Sequence, residues 1–319
     1  MRIVCIDGEH QYLDLVQRDV IDPLRAAGHD FDWFEESFTD APATIGRASG
    51  YDALYVIGDQ GPVPAGLMRA NPQLSLISFV GTGARRFVDM AEAAECGVTV
   101  TNVPDFASIS VAEHTIALLF AVARRIPEGD RLIRAGAWEK NQGLKLTGRR
   151  LGVVGAGPIA AAVMSRAAAL GMEVVYWSRT DDPTRAAKLA GRRVELDELF
   201  RTSDAVTLHL AQTPETAGLI DATLLDTLRP GSVVVNTARA EIVDQAHLVE
   251  LVASGHLFGA GIDVFESEPP SLAPEVLALP NLVLTPHIGF HTDEADDVFR
   301  LAGENILAFA AGEPRNVIA

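Results

Sequence analysis

Short runs of β-branched and apolar residues alternate with longer stretches of helical periodicity along the whole chain. That alternation predicts parallel sheets whose strands are joined by crossover helices. Residues 2–7 read as a buried strand, followed by an amphipathic helix over 12–27 that Gly28 closes. Strands over 54–58, 74–81 and 98–102 repeat the pattern with helices between them, and a long apolar helix runs from Ser110 to Arg124. A second series opens at Arg150 with LGVVGAG, a strand entering a tight turn, and continues into the helix IAAAVMSRAAAL. Further strands are predicted over 173–177, 205–210, 232–236, 258–263 and 282–285, and a last helix over 293–311. The proline-containing stretch 127–148 separates the two series and reads as the seam.

At 319 residues the chain exceeds what one hydrophobic core usually takes, so two domains are expected. Hydrophobic residues at 48% and charged residues at 22% exclude a disordered chain. The formal net charge is -17, a surface that repels nucleic-acid backbones and anionic lipid heads. An anionic ligand would therefore need positive charge concentrated at its site. Cys5 and Cys96 are the only cysteines, too few for a disulfide framework or a four-thiolate metal site, and no metal is expected. Asp7 and Glu9 interrupt the first residues, and no stretch approaches the roughly 18 apolar residues of a spanning helix, so a soluble, cytoplasmic protein is expected.

GAGPIA, residues 155–160, lies between a predicted strand and a predicted helix, which is the context a dinucleotide fingerprint needs. Gly155 makes the tight turn, Gly157 lets a pyrophosphate approach the backbone, and Ala160 allows close helix–strand packing. Pro158 and Ile159 open the helix, whose N-terminal amides and dipole favour phosphate. An NAD-selective site wants a carboxylate about twenty residues on, at the end of the second strand. Ser178, Arg179 and Thr180 stand there instead, which favours a 2′-phosphate, although Asp181 and Asp182 follow closely. Arg239, Glu268 and His287 each lie just past a predicted strand, where ligands of parallel open sheets bind. Singly each reads as an ordinary loop residue. Together they place a guanidinium, a carboxylate and a titratable ring, three groups of complementary chemistry, at three successive strand ends, which the ordinary reading explains less well.

These residues sit in a series of motifs: VGTG (80–83), VTVTNVPDF (98–106) running into VAEHT (111–115), GAGPIA, TPET (213–216), NTARAEIVD (236–244), GAGIDVFESEPP (259–270) and TPHIG (285–289). In this order they resemble the D-2-hydroxyacid dehydrogenase family, which includes phosphoglycerate dehydrogenases and glyoxylate/hydroxypyruvate reductases. The match runs over most of the chain from Phe79 onward. Ala240 departs from the family's glycine after the arginine, Ala211 and Gln212 from its HLPLTPET segment, and ARRFVD after VGTG is one residue longer than usual. These changes bear on substrate preference.

The resemblance implies two Rossmann-like, doubly wound α/β domains, with a discontinuous substrate domain (1–100 and 287–319), a dinucleotide-binding domain (101–286) and the site at their joint. It implies that Arg239 holds the carboxylate and keto oxygen of a 2-keto acid, that His287 protonates that oxygen, and that Glu268 orients the ring and keeps it protonated. Backbone amides of Thr82 and Gly83 would bind the carboxylate, and Thr237, Ala238 and Asp263 the nicotinamide end. The implied activity is NAD(P)H-dependent reduction of a glyoxylate- or hydroxypyruvate-like acid to the D-2-hydroxy acid, with NADP(H) preferred and NAD(H) the alternative. The helix from Ser110 to Arg124 is apolar at too many positions to be half exposed, so it is expected in a core or an interface, and a homodimer through the cofactor domain, using that helix and the arm after it, is expected. Trp138 in that arm resembles a tryptophan that in glyoxylate/hydroxypyruvate reductases reaches the neighbouring subunit's site, or else it anchors its own arm. The chain ends near the last predicted helix, so no appended regulatory domain is expected. Glu268 stands where formate dehydrogenases of this fold carry glutamine. A dinucleotide-sensing interaction protein and a phosphite dehydrogenase share the fold and the trio, and both stay open on the residues alone.

Overall fold

A computed structural model describes residues 1–35, 40–58, 60–180 and 182–319. The chain divides into two compact units, Met1–Phe106 with Asp293–Ala319, and Ala107–Thr292.

The first unit is a five-stranded parallel sheet of β1 (Arg2–Cys5), β2 (Asp30–Trp33), β3 (Ala53–Val56), β4 (Leu76–Phe79) and β5 (Thr99–Thr101), in the order β2-β1-β3-β4-β5. Val16, Leu24, Phe299 and Ile306 cover one face, and Met68, Val88 and Ala93 the other. The returning segment belongs to this core. Tyr55 Oη and Ser78 Oγ donate to the carbonyls of Phe299 (2.9 Å) and Ala302 (2.8 Å) in the helix Asp297–Ala310, and Ile318 N bonds Val100 O. The predicted helix over 12–27 is present, but it widens into a π-turn at Gln17–Ile21. Pro23 follows at once. Its ring crowds the carbonyl four residues back and it has no N–H to give, so the regular ladder cannot continue unaltered.

The second unit is a seven-stranded parallel sheet of β6 (Arg150–Val154), β7 (Glu173–Trp177), β8 (Arg192–Arg193), β9 (Ala205–Leu208), β10 (Val233–Asn236), β11 (Gly259–Ile262) and β12 (Leu282–Leu284). Its order is β12-β11-β10-β9-β6-β7-β8, so the winding reverses between β6 and β9. The inner strands β9, β10 and β11 are buried on both faces: Val233 and Val235 join one core layer and Val234 the other. They are accordingly largely apolar, as covered parallel strands are. The long apolar helix is α1 (Ser108–Ala123), and Val111, Ala112, Leu118, Leu119 and Val122 place it in this core. A Cβ on Gly261 would stand 3.1 Å from Leu118 Cβ, so the bare strand is what lets α1 lie against β11. The helices α2 (Ile126–Arg134), α3 (Pro158–Ala169) and α4 (Gln245–Ala253) follow.

Three features depart from the sequence pattern. β2 carries Asp30 and Asp32, residues depleted in strands, and is tolerated as an edge strand because Phe31 and Trp33 alternate with them, Phe31 buried and Trp33 partly buried against the core. β8 is two arginines at an edge of the seven-stranded sheet, where charge blunts further pairing. The stretch 127–148 begins inside α2 and belongs wholly to the second unit; the chain passes between units after Phe106 and after Thr292. The sequence expectation set these passages at 100 and 286, and on the observed division His287 lies in the second unit.

Candidate active site

Gly155 ends β6 with φ +124°, a conformation open to glycine, and a Cβ there would meet His209 O at 2.3 Å. The backbone is thus pressed against the end of β9, at the point where the winding reverses. Nothing lies within 4 Å of a Cβ built on Gly157, so the next approach to the backbone is open. Pro158 then begins α3, where its missing N–H costs little, and Ile159 packs on the core. A cavity of about 210 Å³ borders this turn and reaches Ser178, Arg179, Thr180, Arg185 and His209. Bare glycine backbone, a twelve-residue helix starting at the turn and two arginines beside it fit a phosphorylated dinucleotide.

Ser178 spends its hydroxyl on Thr180 O at 2.8 Å. Arg179 is exposed and pairs at 3.6 Å with Glu215, whose carboxyl a Thr213 hydrogen bond, then its own backbone, then Arg179 hold below the usual range. Arg185, Glu215 and His209 were not singled out by sequence pattern. Glu215 belongs to the TPET motif, which was the available signal. Asp182 caps the short helix after β7 through Thr184 N and Arg185 N, and Asp181 lies outside the described residues. The His209 Nε2 is buried without a hydrogen-bond partner, and burial pushes the ring's pKa down to about 3.

β10, β11 and β12 are neighbours in register, with Asn236 opposite Ile262 and Ile262 opposite Leu284. Arg239, Glu268 and His287 therefore leave three adjacent strands at the same end of the sheet. Asn236 shapes the first exit: its Oδ1 accepts from Ala238 N at 3.0 Å and its Nδ2 donates to Arg239 O at 2.9 Å. Arg239 Nη1 donates to Ala238 O at 2.6 Å. Thr237 is buried, its hydroxyl 2.8 Å from that of Thr115 on α1. Glu268 Oε1 accepts from Phe265 N at 3.1 Å, which fixes the carboxylate above β11. His287 Nδ1 lies 3.0 and 2.9 Å from the two oxygens of Glu268, and an ionised carboxylate only accepts, so Nδ1 carries the proton. His287 itself has φ +54°, a left-handed conformation that a residue with a Cβ rarely adopts.

Asp263, 1% exposed, sits at the root of these loops. Its Oδ1 accepts from Thr285 Oγ1 (2.6 Å) and Ile288 N (3.0 Å), and its Oδ2 from Gly289 N (2.9 Å). His114 Nε2 lies 3.3 Å from Oδ1 and 3.0 Å from Thr285 Oγ1. Burial raises this carboxyl's pKa, but the bonds from His114, Thr285, Gly289 and Ile288 outweigh it and leave the net shift downward. In the first unit, Thr82 and Gly83 form the turn after β4. Thr82 O accepts from Asn102 Nδ2 at 3.0 Å, and Gly83 leads into the 3-10 turn Ala84–Arg86.

Residues 116–289 match the model of the D-isomer specific 2-hydroxyacid dehydrogenase, NAD binding domain. The chain belongs to the D-2-hydroxyacid dehydrogenase family. Among curated D-2-hydroxyacid dehydrogenases, a D-3-phosphoglycerate dehydrogenase of Archaeoglobus fulgidus is 38% identical over 272 residues, 84% of this chain and 51% of that one. The chain thus spans about half the length of that relative. A glyoxylate reductase of Thermococcus litoralis is 37% identical over 263 residues, 79% of each chain. A solved structure from Thermus thermophilus matches 100% of both chains at 35% identity with a TM-score of 0.86. The two-sheet α/β architecture is that of this family. Among the described residues, no helix is long and apolar enough to cross a membrane, and no group of three or more His, Cys, Asp or Glu side chains is placed to hold a metal ion.

Proposed function

We propose that this chain reduces a small 2-keto acid of the glyoxylate or hydroxypyruvate class to the D-2-hydroxy acid, with NADP(H) preferred over NAD(H). The observation that carries this reading is the His287–Glu268 pair, Nδ1 to carboxylate at 2.9 Å, one strand from Arg239. When bound, the reduced nicotinamide supplies hydride, two electrons and one hydrogen, to the carbonyl carbon. Glu268 takes the Nδ1 proton of His287 as its hydrogen-bond donor, which leaves Nε2 as the nitrogen that passes a proton to the carbonyl oxygen. Arg239 grips the substrate carboxylate and the keto oxygen, matching charge that grows on oxygen as hydride arrives. The carbonyl becomes an alcohol by one hydride and one proton, and the ring is reprotonated from solvent. The positive groups sit at the site while the chain carries -17, so the anionic substrate is met locally against the mean field.

The name of the Thermococcus relative supports glyoxylate as the first substrate to try. Residues 155–159, Ser178, Arg179 and Thr180 would hold the cofactor's phosphates and ribose, and Thr237, Ala238 and Asp263 its nicotinamide end. The roles of Thr82 and Gly83 amides toward the carboxylate rest on the family resemblance. A homodimer built on the second unit is part of the same reading: α2 has no buried residue although it carries Ile126 and Ile133, and Trp138 in the arm after it is 81% exposed. The test is a panel of 2-keto acids assayed with NADH and NADPH in parallel. Steady-state reduction of glyoxylate or hydroxypyruvate is expected, and cofactor binding without turnover of any acid would overturn the reading.

A further inference from the structure

We propose that the buried cluster of Asp263, Thr285 and His114 is a positioning device for the proton donor, clamping residues 285–289 so that His287 is held in its left-handed backbone conformation with Nδ1 on Glu268. The inference rests on the reading of His287 as the proton donor.

A residue with a Cβ held at φ +54° needs surroundings that over-determine it. Here the constraint comes from both sides of the histidine. Before it, Thr285 N bonds Ile262 O at 3.0 Å and the Thr285 hydroxyl donates to Asp263. After it, the consecutive amides of Ile288 and Gly289 close on the two oxygens of the same carboxylate. One side chain therefore fastens the loop on either flank of residue 287. The close approach depends on glycine at 289, where a Cβ would stand 3.0 Å from Asp263 Oδ2 and 3.4 Å from His114 Cδ2.

Asp263 also immediately follows β11 and begins the loop that carries Glu268. It thus sets the separation of the two loops whose side chains meet at 2.9 Å. His114 completes the cluster from α1. Because the Thr285 hydroxyl gives its hydrogen to Asp263, His114 Nε2 must be the donor toward Thr285 Oγ1 and Asp263 Oδ1, which fixes Nε2 as protonated. These donors leave Asp263 little capacity for a ligand. Oδ1 already faces three donors, and Oδ2 keeps one lone pair beyond Gly289. Docking of a nicotinamide amide by this carboxylate, which the family resemblance implies, would have to use that one position.

The test compares Thr285→Val, which removes the hydroxyl at constant volume, with Thr285→Ser, which keeps it. Thr285→Val is expected to lower kcat about tenfold or more, with KM for the keto acid and NADPH affinity by fluorescence titration changed less than about twofold. Thr285→Ser should retain most of the wild-type kcat. In a His287→Ala background, Thr285→Val should cost nothing further, because its effect passes through the ring. His114→Phe is the second variant should Thr285→Val fold poorly, with the same split expected. Independently of turnover, hydrogen exchange at the Ile288 and Gly289 amides should quicken about tenfold or more in either variant. Unaltered exchange at both amides overturns the clamp. Full kcat in Thr285→Val, or an equal loss in the His287→Ala background, overturns positioning of the donor, and a loss confined to NADPH affinity makes the cluster a cofactor ligand instead. If the wild type reduces no keto acid, the proposed function fails, and the exchange measurement still decides whether Asp263 holds the loop.

Discussion

Nδ1 of His287 sits 2.9 Å from Oε2 and 3.0 Å from Oε1 of Glu268, astride both carboxylate oxygens. A ring held in this way has one nitrogen committed and one to offer. His287→Ala should fold normally and lose about 10²–10⁴-fold in kcat with glyoxylate or hydroxypyruvate. Glu268→Ala should lose less, and nothing beyond the His287→Ala loss when the two are combined. Near-wild-type turnover by His287→Ala in a steady-state assay removes the ring from the mechanism.

Arg239 is presented by the Asn236 side chain, which bonds both Ala238 N and Arg239 O. Arg239→Ala should depress kcat/KM by about 10²-fold or more. Arg239→Lys should recover little of it, because an ammonium cannot grip a carboxylate and a keto oxygen in one plane. A lysine variant with wild-type kcat/KM would show that charge alone suffices.

No carboxylate among the described residues ends β7, and Arg179 stands there with Glu215 3.6 Å away. Arg179→Ala should raise KM for NADPH about tenfold while leaving that for NADH little changed. Glu215→Gln should do the opposite and improve NADPH modestly, about two- to fivefold, since it frees the guanidinium from a screened surface pair. Equal weakening of both cofactors in Arg179→Ala, measured by initial rates, would show that the side chain does not read the 2′-phosphate.

His209 carries a pKa of about 3 because its ring is buried, against 6.5 in the unfolded chain. Between those values the unfolded state binds the extra proton, so folding stability is complete above about pH 6.5 and falls as pH drops toward 3. The slope from this one group is about 1.4 kcal/mol per pH unit. The depressed carboxylates Asp263, Glu215 and Glu304 act in a lower window, since their stabilisation is lost only as pH falls below the ordinary carboxylate range. Melting temperature followed from pH 7 to 5 should therefore decline in the wild type and decline less steeply in His209→Asn, where His29, also lowered by burial, still contributes. Parallel curves for the two proteins would assign the decline elsewhere.

Trp138, Ile126 and Ile133 are more than half exposed on one chain, and no residue of α2 is buried. Light scattering at micromolar concentration should give twice the 34.0 kDa of the chain. Trp138→Ala should alter substrate preference if the arm reaches a neighbouring site. A mass near 34.0 kDa ends the dimer proposal.

Much of this arrangement is legible in the amino-acid order because it follows from local periodicity. LGVVGAG must be a strand running into a bare turn, and apolar runs such as VVVN need cover on both faces. What periodicity cannot carry is pairing between distant residues. The two aspartates of β2 look like loop until one sees an edge strand with Phe31 and Trp33 on its core face. Glu215 lies 36 positions from Arg179 and meets it through the turn after β9. His114 was visible only as part of VAEHT; its contact with Asp263 and Thr285 exists because α1 packs across β11. The returning passage falls after Thr292 on the observed division, and Gly289 before it is bonded to Asp263 of the second sheet, a link no local pattern carries.

The order β12-β11-β10-β9-β6-β7-β8 also sets a distance. Between the end of β7, where Arg179 stands, and the end of β12, where His287 stands, lie five strand spacings, about 24 Å. Substitutions separated by more than about 7–10 Å with no shared partner act independently. On the proposed function, cofactor choice at the end of β7 and proton chemistry at the end of β12 are therefore set by side chains that do not touch, and only the bound dinucleotide links them. An exchange of one dinucleotide for the other would then be open to selection at β7 with the acid at the far end of the sheet left in place.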